Sequence, residues 1–298
     1  MPIFLGITGN TKKAGLWKPV FELLAALRTI HTKFVVHPDL AQGLRERDFS
    51  LDDNEIAPTI SDFWDMSELI ISFGGDGTLL NTASELGPRS IPILGVNHGR
   101  LGFLAQIEGS ELQDRVAQIR NRDFLVEERI VLEATLGSGE QLDARFALNE
   151  FAFQRSGDSG LLAFDVKVGG IHLNTYWADG LLISTPTGST AYSLALGGPI
   201  MAPGCNSILI SPIAPHTLTV RPIVISDASE IEIQLLNRNQ SHVFTTDGFN
   251  HPNALANGSV FIKKAKQRVN LVRFEDQDYF STLRNKLMWG AHRSKVND

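Results

Sequence analysis

This sequence has almost no cysteine, and it has no excess of positive charge. Several classes of protein require one or the other. Cys205 is the one cysteine among 298 residues, which excludes an intramolecular disulfide framework and a zinc cluster built from cysteines. A reducing, cytoplasmic setting is therefore expected. Acidic residues outnumber basic ones by 33 to 27, so the formal net charge is −6. This balance argues against a nucleic-acid partner, because proteins that bind nucleic acids normally carry a basic excess.

Charged residues are missing from residues 180–220, and that stretch has no long apolar run either. Prolines and glycines interrupt it, so it lacks the roughly 18 consecutive apolar residues of a membrane helix. No basic region precedes the first apolar residues of the chain, which predicts a first strand there rather than a signal peptide. We therefore expect no membrane partner. The uncharged stretch is predicted to be buried and rich in loops, the kind of segment that often builds a site.

Strand and helix patterns alternate along the first third of the chain. Buried-strand patterns occur at residues 3–8, 34–36, 69–73 and 91–96. The first helix is indicated by apolar residues at helical spacing, namely Leu16, Val20, Leu23, Leu24 and Leu27. This alternation predicts an α/β domain with a mostly parallel sheet over residues 1–123. Residues 37–60 are polar and poorly periodic and allow no assignment.

Short β patterns predominate from residue 124. Residues 166–168 and 171–173 flank two glycines, which predicts a hairpin. We expect an all-β domain over residues 124–274, interrupted by one short helix within 187–196. Helical spacing returns at Phe280, Leu283 and Leu287, so residues 275–298 are predicted to form a C-terminal helix and tail.

Three glycines and one acid follow the buried strand at 69–73, in the run Gly74-Gly75-Asp76-Gly77. Glycines let the backbone approach a ligand closely, and the N–H groups of a following helix suit an anion such as a diphosphate. Asp76 stands at the carboxyl end of a strand, where open α/β sheets bind ligands. An acid there suggests a proton acceptor or a magnesium ligand. The alternative is a tight turn in which Asp76 is only a turn-favouring residue.

Two further polar segments follow strands. Residues 97–104 contain His98 and Phe103; the phenyl ring is able to stack on a purine, although a core position is the commoner use of such a ring. His98 by itself is more typical of a loop or surface position than of a catalyst.

Asn149 and Glu150 stand side by side and are able to bind both hydroxyls of a ribose. Their alternative is an exposed polar pair in a turn.

A fourth segment, residues 179–192, carries an acid and then several hydroxyls without any charge. Its neutral hydrogen-bonding side chains include Thr187, Ser189, Thr190 and Tyr192. The lysine of a phosphate-binding P-loop is missing, so this is not a Walker motif. The alternative is a helix cap rich in Ser and Thr.

In this order and context the four segments resemble the NAD kinase family, which phosphorylates the adenosine-ribose 2′-hydroxyl of NAD to give NADP. The matching stretches are G-G-D-G-T at 74–78, L-G-F at 101–103, N-E at 149–150 and D-G-x-x-x-S-T-P-T-G-S-T-A-Y at 179–192. Asp247-Gly248 also looks familiar for the family. The G-G-D-G run occurs in diacylglycerol and sphingosine kinases too, whereas the long 179–192 motif is far more specific. The resemblance covers roughly residues 69–250.

The resemblance implies a role for each matching residue of the first part of the chain. Asp76 is implied as the general base on the 2′-hydroxyl. Gly77 is implied to approach the dinucleotide, and Phe103 to contact the adenine.

For the second part, the resemblance implies that Asn149 and Glu150 hold ribose hydroxyls and that Asp179 contacts the dinucleotide. The adenosine and nicotinamide sites are implied to be lined by Thr187, Thr190, Ala191 and Tyr192.

The resemblance also implies a sandwich-like second domain, a homo-oligomer that is a dimer or tetramer, and Mg²⁺ as the cofactor of the phosphoryl donor. No metal site made by the protein alone is expected. The donor is ATP or polyphosphate, and NAD is the acceptor. Two other functions stay open, a lipid kinase built on the same glycine-rich loop and a dinucleotide sensor without catalysis. The hydroxyl-rich 179–192 segment suits a polar nucleotide better than a lipid.

Overall fold

A computed structural model describes residues 3–97, 99, 102–137, 142, 145–157, 160–237, 240–252 and 258–289. The chain forms two compact units. The first contains residues 1–127 and 270–298, and the second contains residues 128–269. The predicted domain bounds at 123/124 and 274/275 stay predictions. His98, Arg100 and Leu101, which belong to the second predicted segment, lie outside the described residues.

The first unit is an α/β structure. Along the chain, its elements up to residue 127 are β1 (Leu5–Gly9), α1 (Trp17–Thr29), β2 (Phe34–Val36), α2 (Pro38–Arg45), α3 (Ile60–Met66), β3 (Leu69–Phe73), α4 (Asp76–Leu86), β4 (Ile93–Asn97), β5 (Ile107–Glu108) and α5 (Leu112–Asn121). The strands pair in parallel in the order β2, β1, β3, β4, β5. A parallel sheet places all carboxyl ends at one edge, so the loops after β1, β3 and β4 share that edge.

Helix α1 packs on the sheet with the face that its sequence predicts. Its buried residues are Trp17, Val20, Leu23, Leu24 and Leu27, and Leu16 is buried in the 3₁₀ turn just before it. Fully burying one such leucine contributes about 1.5–3 kcal/mol. The strands of the sheet are equally apolar, since β3 is buried at every position. This core fixes the edge from which the glycine-rich loop emerges.

Residues 37–60, which the sequence left unassigned, contain helix α2. His37 caps it, because its Nδ1 accepts a hydrogen bond from the N–H of Asp39 at 3.3 Å. Pro38 occupies the first helical position, where its missing N–H costs nothing. Thr59 caps the next helix, α3, by accepting from the N–H of Asp62. Both helices are too short for their apolar spacing to stand out.

The second unit is antiparallel and rich in strands. Its elements are β6 (Leu125–Leu136), β7 (Phe146–Ala147), β8 (Glu150–Arg155), β9 (Leu162–Val168), β10 (Ile171–Ser184), α6 (Tyr192–Ala195), β11 (Ser207–Pro215), β12 (Ile223–Ser226), β13 (Ile231–Leu235), β14 (His242–Thr246), β15 (Phe249–Pro252) and β16 (Ser259–Arg273). Strands β6 and β16 include the points at which the chain passes from one unit to the other.

Strand β10 organises this unit because it pairs with three neighbours. Its first half pairs with β9 through the predicted hairpin, in which Ile171 stands opposite Val168. Its second half lies between β8 and β11. The order continues as β15, β14, β8, β10, β9, β13, β16, with β12 on the outside of β11. The predicted short helix is present as a 3₁₀ turn at Thr187–Thr190 followed by α6.

The chain ends in helix α7 (Tyr279–Leu287), which belongs to the first unit. Leu283 is buried, as its spacing predicts. Phe280, which shares this helical spacing, is 61% exposed and packs edge-on against Tyr279. Within the described residues, no helix is both long and apolar enough to cross a membrane.

Candidate functional site

Asp76 is the first residue of helix α4, directly after the turn that leaves β3. The turn is tied to the neighbouring strand, since the N–H of Gly74 donates to the carbonyl of Val96 at 2.8 Å. Thr78 then closes the first helical turn by donating its N–H to the carbonyl of Gly75 at 2.9 Å. The carboxylate therefore stands at a fixed point on the ligand-binding edge of the sheet.

The Asp76 carboxylate accepts three backbone hydrogen bonds from the loop that follows β4. Its Oδ2 accepts from the N–H of Phe103 at 2.9 Å, and its Oδ1 accepts from Leu104 and Ala105, each at 3.0 Å. A carboxylate has about four lone-pair positions, so one position on Oδ2 remains. Asp76 is thus more than a turn residue, because it fixes a loop and keeps one acceptor position available.

Gly102 lies against the same carboxylate. A Cβ at this residue would stand 1.9 Å from Oδ1 of Asp76, far inside any allowed contact. Only glycine lets the loop come this close. The close approach explains why a glycine precedes Phe103 in the sequence.

Phe103 takes part in this arrangement through its backbone. Its N–H donates to Asp76, and its carbonyl accepts a hydrogen bond from Nε2 of Gln106 at 3.0 Å. Its ring is neither fully buried nor fully exposed, so the alternative of a simple core residue does not hold.

Asn97, at the carboxyl end of β4, is a polar residue whose importance the sequence did not single out. It is 2% exposed, and its Oδ1 accepts from the N–H of Gly99 at 2.7 Å. Its Nδ2 is buried without a hydrogen-bond partner. An unsatisfied buried donor costs about 1–3 kcal/mol, which makes Asn97 a candidate for a ligand contact.

In the second unit, Asn149 and Glu150 lie at the start of β8 and are held by Asp247. Oδ1 of Asp247 accepts from the N–H groups of Asn149 and Glu150 at 2.8 and 2.9 Å, and Oδ2 accepts from Leu148 at 2.8 Å. Asp247 has a φ of 47°, in the left-handed region, and precedes Gly248 in the turn between β14 and β15. Aspartate tolerates this conformation better than most residues do.

The sequence alone predicts no role for Asp247 in the Asp247-Gly248 dipeptide. The structure gives it one, since it fixes the backbone of the Asn149 and Glu150 pair. Asn149 is 8% exposed, so the alternative of an exposed polar pair is wrong for this residue. The signal in the sequence is an aspartate followed by glycine in a turn, which by itself names no partner almost a hundred residues away.

Glu150 and Asp247 are two carboxyl groups in a buried setting. Burial and, as a smaller effect, the negative charge of Asp247 together raise the pKa of Glu150 to about 8. Burial also raises the pKa of Asp247 to about 6, against the opposing effect of its three N–H donors. Oε2 of Glu150 is buried without a hydrogen-bond partner. Near neutral pH the Glu150 carboxyl therefore keeps its proton, so it is able to donate as well as accept a hydrogen bond.

The hydroxyl-rich segment after β10 packs directly on the Asn149 loop. Thr185 donates its Oγ1 to the carbonyl of Leu148 at 2.6 Å and its N–H to the carbonyl of Asn149 at 2.9 Å. A Cβ at Gly188 would stand 2.3 Å from that second carbonyl, so glycine is required there too. The structure thus brings together the third and fourth predicted segments.

The predicted hydroxyls differ in what they do. Thr187 is 6% exposed, and its Oγ1 has no hydrogen-bond partner. Thr190 donates its hydroxyl to the carbonyl of Thr187 at 3.3 Å, and Ala191 closes the same turn through its N–H. Ser189 is structural, because its Oγ bonds the main chain at Pro186 and Met201. The alternative of a Ser- and Thr-rich cap therefore holds for part of the segment only.

Asp179 and Tyr192 lie towards the other end of β8. Asp179 forms an ion pair with Arg155 at 2.9 Å, and the Tyr192 hydroxyl accepts a hydrogen bond from Gln154 at 3.0 Å. Arg155 ends β8 and Glu150 begins it, so the two residues are five positions apart, about 17 Å along an extended strand. The predicted residues of this unit thus form two groups connected by the 187–192 turn.

Comparison with known families finds two family models that match the chain. The model of the ATP-NAD kinase N-terminal domain matches residues 6–124, and the model of the ATP-NAD kinase C-terminal domain matches residues 148–274. Among curated relatives, an NAD kinase of Bacteroides fragilis is 41% identical over 225 residues, which cover 76% of this chain and 77% of that protein. An NAD kinase of Flavobacterium johnsoniae is 35% identical over 275 residues, covering 91% and 93%.

Two solved structures share the fold. Yeast NADH kinase complexed with NADH matches with a TM-score of 0.88 and 24% identity, over 98% of this chain and 89% of that one. An NAD kinase from Archaeoglobus fulgidus in complex with ATP matches with a TM-score of 0.74 and 22% identity, over 96% and 99%. The predicted fold class, an α/β first part, a β-rich second part and a C-terminal helix, is confirmed. The family models together span most of the sequence, and the resemblance drawn from its four motifs is confirmed: this chain belongs to the ATP-NAD kinase family.

Proposed function

We infer that this protein is an NAD kinase, which transfers a phosphoryl group from ATP to the 2′-hydroxyl of the adenosine ribose of NAD and so forms NADP. The observation that carries this inference is the Asp76 carboxylate, fixed by three N–H donors and left with one acceptor position. The NAD kinases among its relatives give the acceptor, and the ATP complex of the A. fulgidus enzyme supports ATP as donor.

The reaction requires positioning and charge neutralisation more than covalent chemistry. The 2′-oxygen attacks the terminal phosphorus of ATP, a new P–O bond forms, and the bond to the leaving ADP breaks. The hydroxyl proton passes to Oδ2 of Asp76 late, as the new bond forms. Because the three N–H groups hold the carboxylate in place, it does not have to reorient for the transfer.

Contacts with the acceptor are proposed for residues in each unit. Gly77 and Phe103 contribute from the first, with the ring against the adenine. Asn149 and Glu150 grip ribose hydroxyls, and the protonated Glu150 carboxyl supplies a donor and an acceptor for that purpose. Dinucleotide contacts from the rest of the second unit are assigned to Asp179, Thr187, Thr190, Ala191 and Tyr192.

Mg²⁺ is proposed to arrive with the phosphoryl donor. The described part of the chain has no group of three or more His, Cys, Asp or Glu side chains that could hold a metal ion. Mg²⁺ is commonly held by substrate phosphates, water and one or two carboxylates, a donor set that this chain and ATP fit together. When bound, it offsets the charge that develops on the donor oxygens. Polyphosphate is the alternative donor.

A homo-oligomer is also proposed, with strand β12 as its contact. This strand pairs with β11 on one side, and its exposed residues include Ile223 and Val224, 36% and 45% exposed. An apolar edge strand offers unpaired backbone groups to another chain. A second copy of this protein is the proposed partner. A cytoplasmic location belongs to the same proposal and rests on the single cysteine.

The test incubates the purified protein with NAD, Mg²⁺ and either ATP or polyphosphate. The NADP that forms is then measured with a dehydrogenase that uses only NADP. Formation of NADP with ATP is the expected result. NAD binding without turnover would instead indicate a sensor, and phosphorylation of a lipid dispersion would indicate a lipid kinase. Either of these results, in the absence of NADP, overturns the proposal.

A further inference from the structure

The C-terminal segment, residues 273–287, contacts the loop at 102–106 that Asp76 holds. Nε2 of Gln277 donates to the carbonyl of Gln106 at 3.1 Å. Gln106 in turn donates its Nε2 to the carbonyl of Phe103 at 3.0 Å. The loop is therefore fixed at two points. Its N–H groups donate to the Asp76 carboxylate, and its Gln106 carbonyl accepts from Gln277.

Gln277 is itself held firmly. Its Oε1 accepts from the N–H of Phe274 at 3.0 Å, and its main-chain carbonyl accepts from Arg273. Arg273 forms an ion pair with Glu127 at 2.6 Å. A side chain anchored through its amide oxygen directs its amide N–H group to one place, here the carbonyl of Gln106.

Lys286, on α7, reaches the same loop by a different contact. Its Nζ lies 5.9 Å from the centroid of the Phe103 ring, within the range of a cation–π interaction. The Phe103 ring is partly exposed. A cation over one ring face leaves the other face available to a planar ligand and fixes the orientation of the ring.

Neither Gln277 nor Lys286 belongs to the part of the sequence that the family models match, since the C-terminal model ends at residue 274. The two contacts therefore join the part matched by the N-terminal family model to residues outside both models. Both converge on Phe103, the residue assigned to the adenine.

We propose that Gln277 and Lys286 are positioning residues of the acceptor site, Gln277 by fixing the backbone of the 102–106 loop and Lys286 by holding the Phe103 ring as a preformed surface for adenine. This rests on the proposed function, which assigns adenine to Phe103. Holding a ring before binding removes part of the entropy loss that ordering a side chain would cost. The expected effect of Lys286 is thus on NAD affinity, and that of Gln277 is on affinity and turnover together, because the loop it fixes also bonds Asp76.

Lys286→Met tests the ring contact. The Kd for NAD, measured by calorimetry, and the KM for NAD should both rise about two- to fivefold, the strength of an exposed cation–π contact, with kcat and the KM for ATP unchanged. Lys286→Arg should restore both values, since a guanidinium also binds a ring face. Arg284→Met is the matched control, because Arg284 is on the same helix, is exposed and bonds Ser281.

A double-mutant cycle separates the ring contact from a general charge effect. In a Phe103→Leu background, Lys286→Met should leave the Kd for NAD unchanged, because no ring remains to be held. The same two- to fivefold rise in that background would overturn the ring assignment. So would a fall in Kd caused by Lys286→Met in the parent protein, which would mean that the lysine competes with adenine.

Gln277→Ala and Gln277→Glu both remove the donor to Gln106, and the second keeps the size of the side chain. Each should raise the Kd for NAD and lower kcat by about three- to tenfold, the usual weight of one hydrogen bond. Gln113→Ala, an exposed glutamine on α5, is the control. Circular dichroism and Tm confirm folding. Unchanged Kd and kcat in both folded variants overturn the role of Gln277, whereas a parent protein that makes no NADP overturns the proposed function instead.

Discussion

Asp76 and Asp247 hold their loops in the same way, although they lie in different units and follow different elements. Each carboxylate accepts three consecutive backbone N–H groups, residues 103–105 for Asp76 and 148–150 for Asp247, with two bonds on one oxygen and one on the other. In both cases the fixed loop carries residues assigned to the acceptor. The two aspartates therefore share one structural task, and we assign the proton transfer to Asp76 alone.

Asp76→Asn should lower kcat by about 10²–10⁴, the usual range for a positioned acid–base group, while NAD still binds. The amide loses the charge and the proton-accepting capacity. The amide also turns an NH₂ group towards a backbone N–H of the 103–105 loop, so one hydrogen bond that holds this loop is lost. Because the loop carries Phe103, the Kd for NAD should rise about threefold to tenfold. Steady-state kinetics with calorimetric NAD binding separate the two effects. A folded variant with near-normal kcat would exclude the catalytic role, and recovery at high Mg²⁺ would assign Asp76 to the metal instead.

Gly102→Ala should reduce kcat without direct contact between residue 102 and the substrate. The new Cβ would meet Oδ1 of Asp76 at 1.9 Å, so either the loop or the carboxylate has to move. We expect a loss of about tenfold or more, because small displacements of a reacting group are costly. Gly204→Ala, where a Cβ meets nothing within 4 Å, is the control. Equal kcat in the two variants would mean that the position of Asp76 does not limit turnover.

Gly77→Ala separates a ligand contact from a structural requirement. A Cβ at Gly77 meets nothing within 4 Å in the free protein, and alanine favours a helix over glycine by up to about 1 kcal/mol. Tm should therefore stay equal or rise. If the dinucleotide approaches this residue, the KM for NAD should rise about tenfold or more. An unchanged KM together with a raised Tm would remove Gly77 from the proposed acceptor site.

Glu150→Gln should alter how stability depends on pH. The carboxyl keeps its proton in the folded protein up to about pH 8, but in the unfolded chain its pKa is the ordinary value of 4.5. The folded state binds more protons, so this group's contribution to stability is full below the unfolded pKa and is lost as pH rises through the folded one. Glutamine stays uncharged. Its Tm should match the parent near pH 4 and exceed it by roughly 2–5 °C near pH 9.

Glu128→Gln is the control for that comparison, since Glu128 is exposed. In the Glu128→Gln variant, the change in Tm between pH 4 and pH 9 should equal that of the parent protein. A Glu150→Gln curve parallel to that of the parent would show that Glu150 ionises as freely in the folded protein as in the unfolded chain.

Val224→Lys should separate the proposed oligomer into smaller species. Lysine on an edge strand is a common natural barrier to pairing with another chain. Sedimentation at micromolar concentration is expected to show an oligomer for the parent protein and a monomer or smaller assembly for the variant. Lys263→Ala, on β16, is a control that leaves β12 unchanged. A monomeric parent would remove the proposed interface.

Local patterns were enough to predict much of the fold. Strands β2 and β3 have the predicted bounds, and the hairpin between β9 and β10 follows from its two glycines. Helices α2 and α3 were not predicted, because each has eight residues or fewer and shows little apolar periodicity. Their start points are set by the caps His37 and Thr59. The helical spacing of Phe280, Leu283 and Leu287 predicts α7 itself, although Leu283 is the one of these three that is buried.

The site was predictable in its residues but not in its bonding. Chain order placed Asp76 after a strand, and the motifs identified the Asn149 and Glu150 pair. That Asp247 fixes this pair depends on bonds between residues 97 to 99 positions apart, which no local pattern encodes. The contacts of Gln277 and Lys286 with the Phe103 loop are long-range for the same reason.

The aspartate arrangements bond main-chain N–H groups, which every amino acid except proline possesses. The six hydrogen bonds at residues 103–105 and 148–150 therefore do not depend on which side chains these residues carry. Leu104, Ala105, Leu148 and Asn149 are buried and constrained by packing, whereas Phe103 and Glu150 are not fully buried. Substitutions at Phe103 and Glu150 are therefore able to change what each loop recognises while its backbone hydrogen bonds stay in place, as long as proline is avoided.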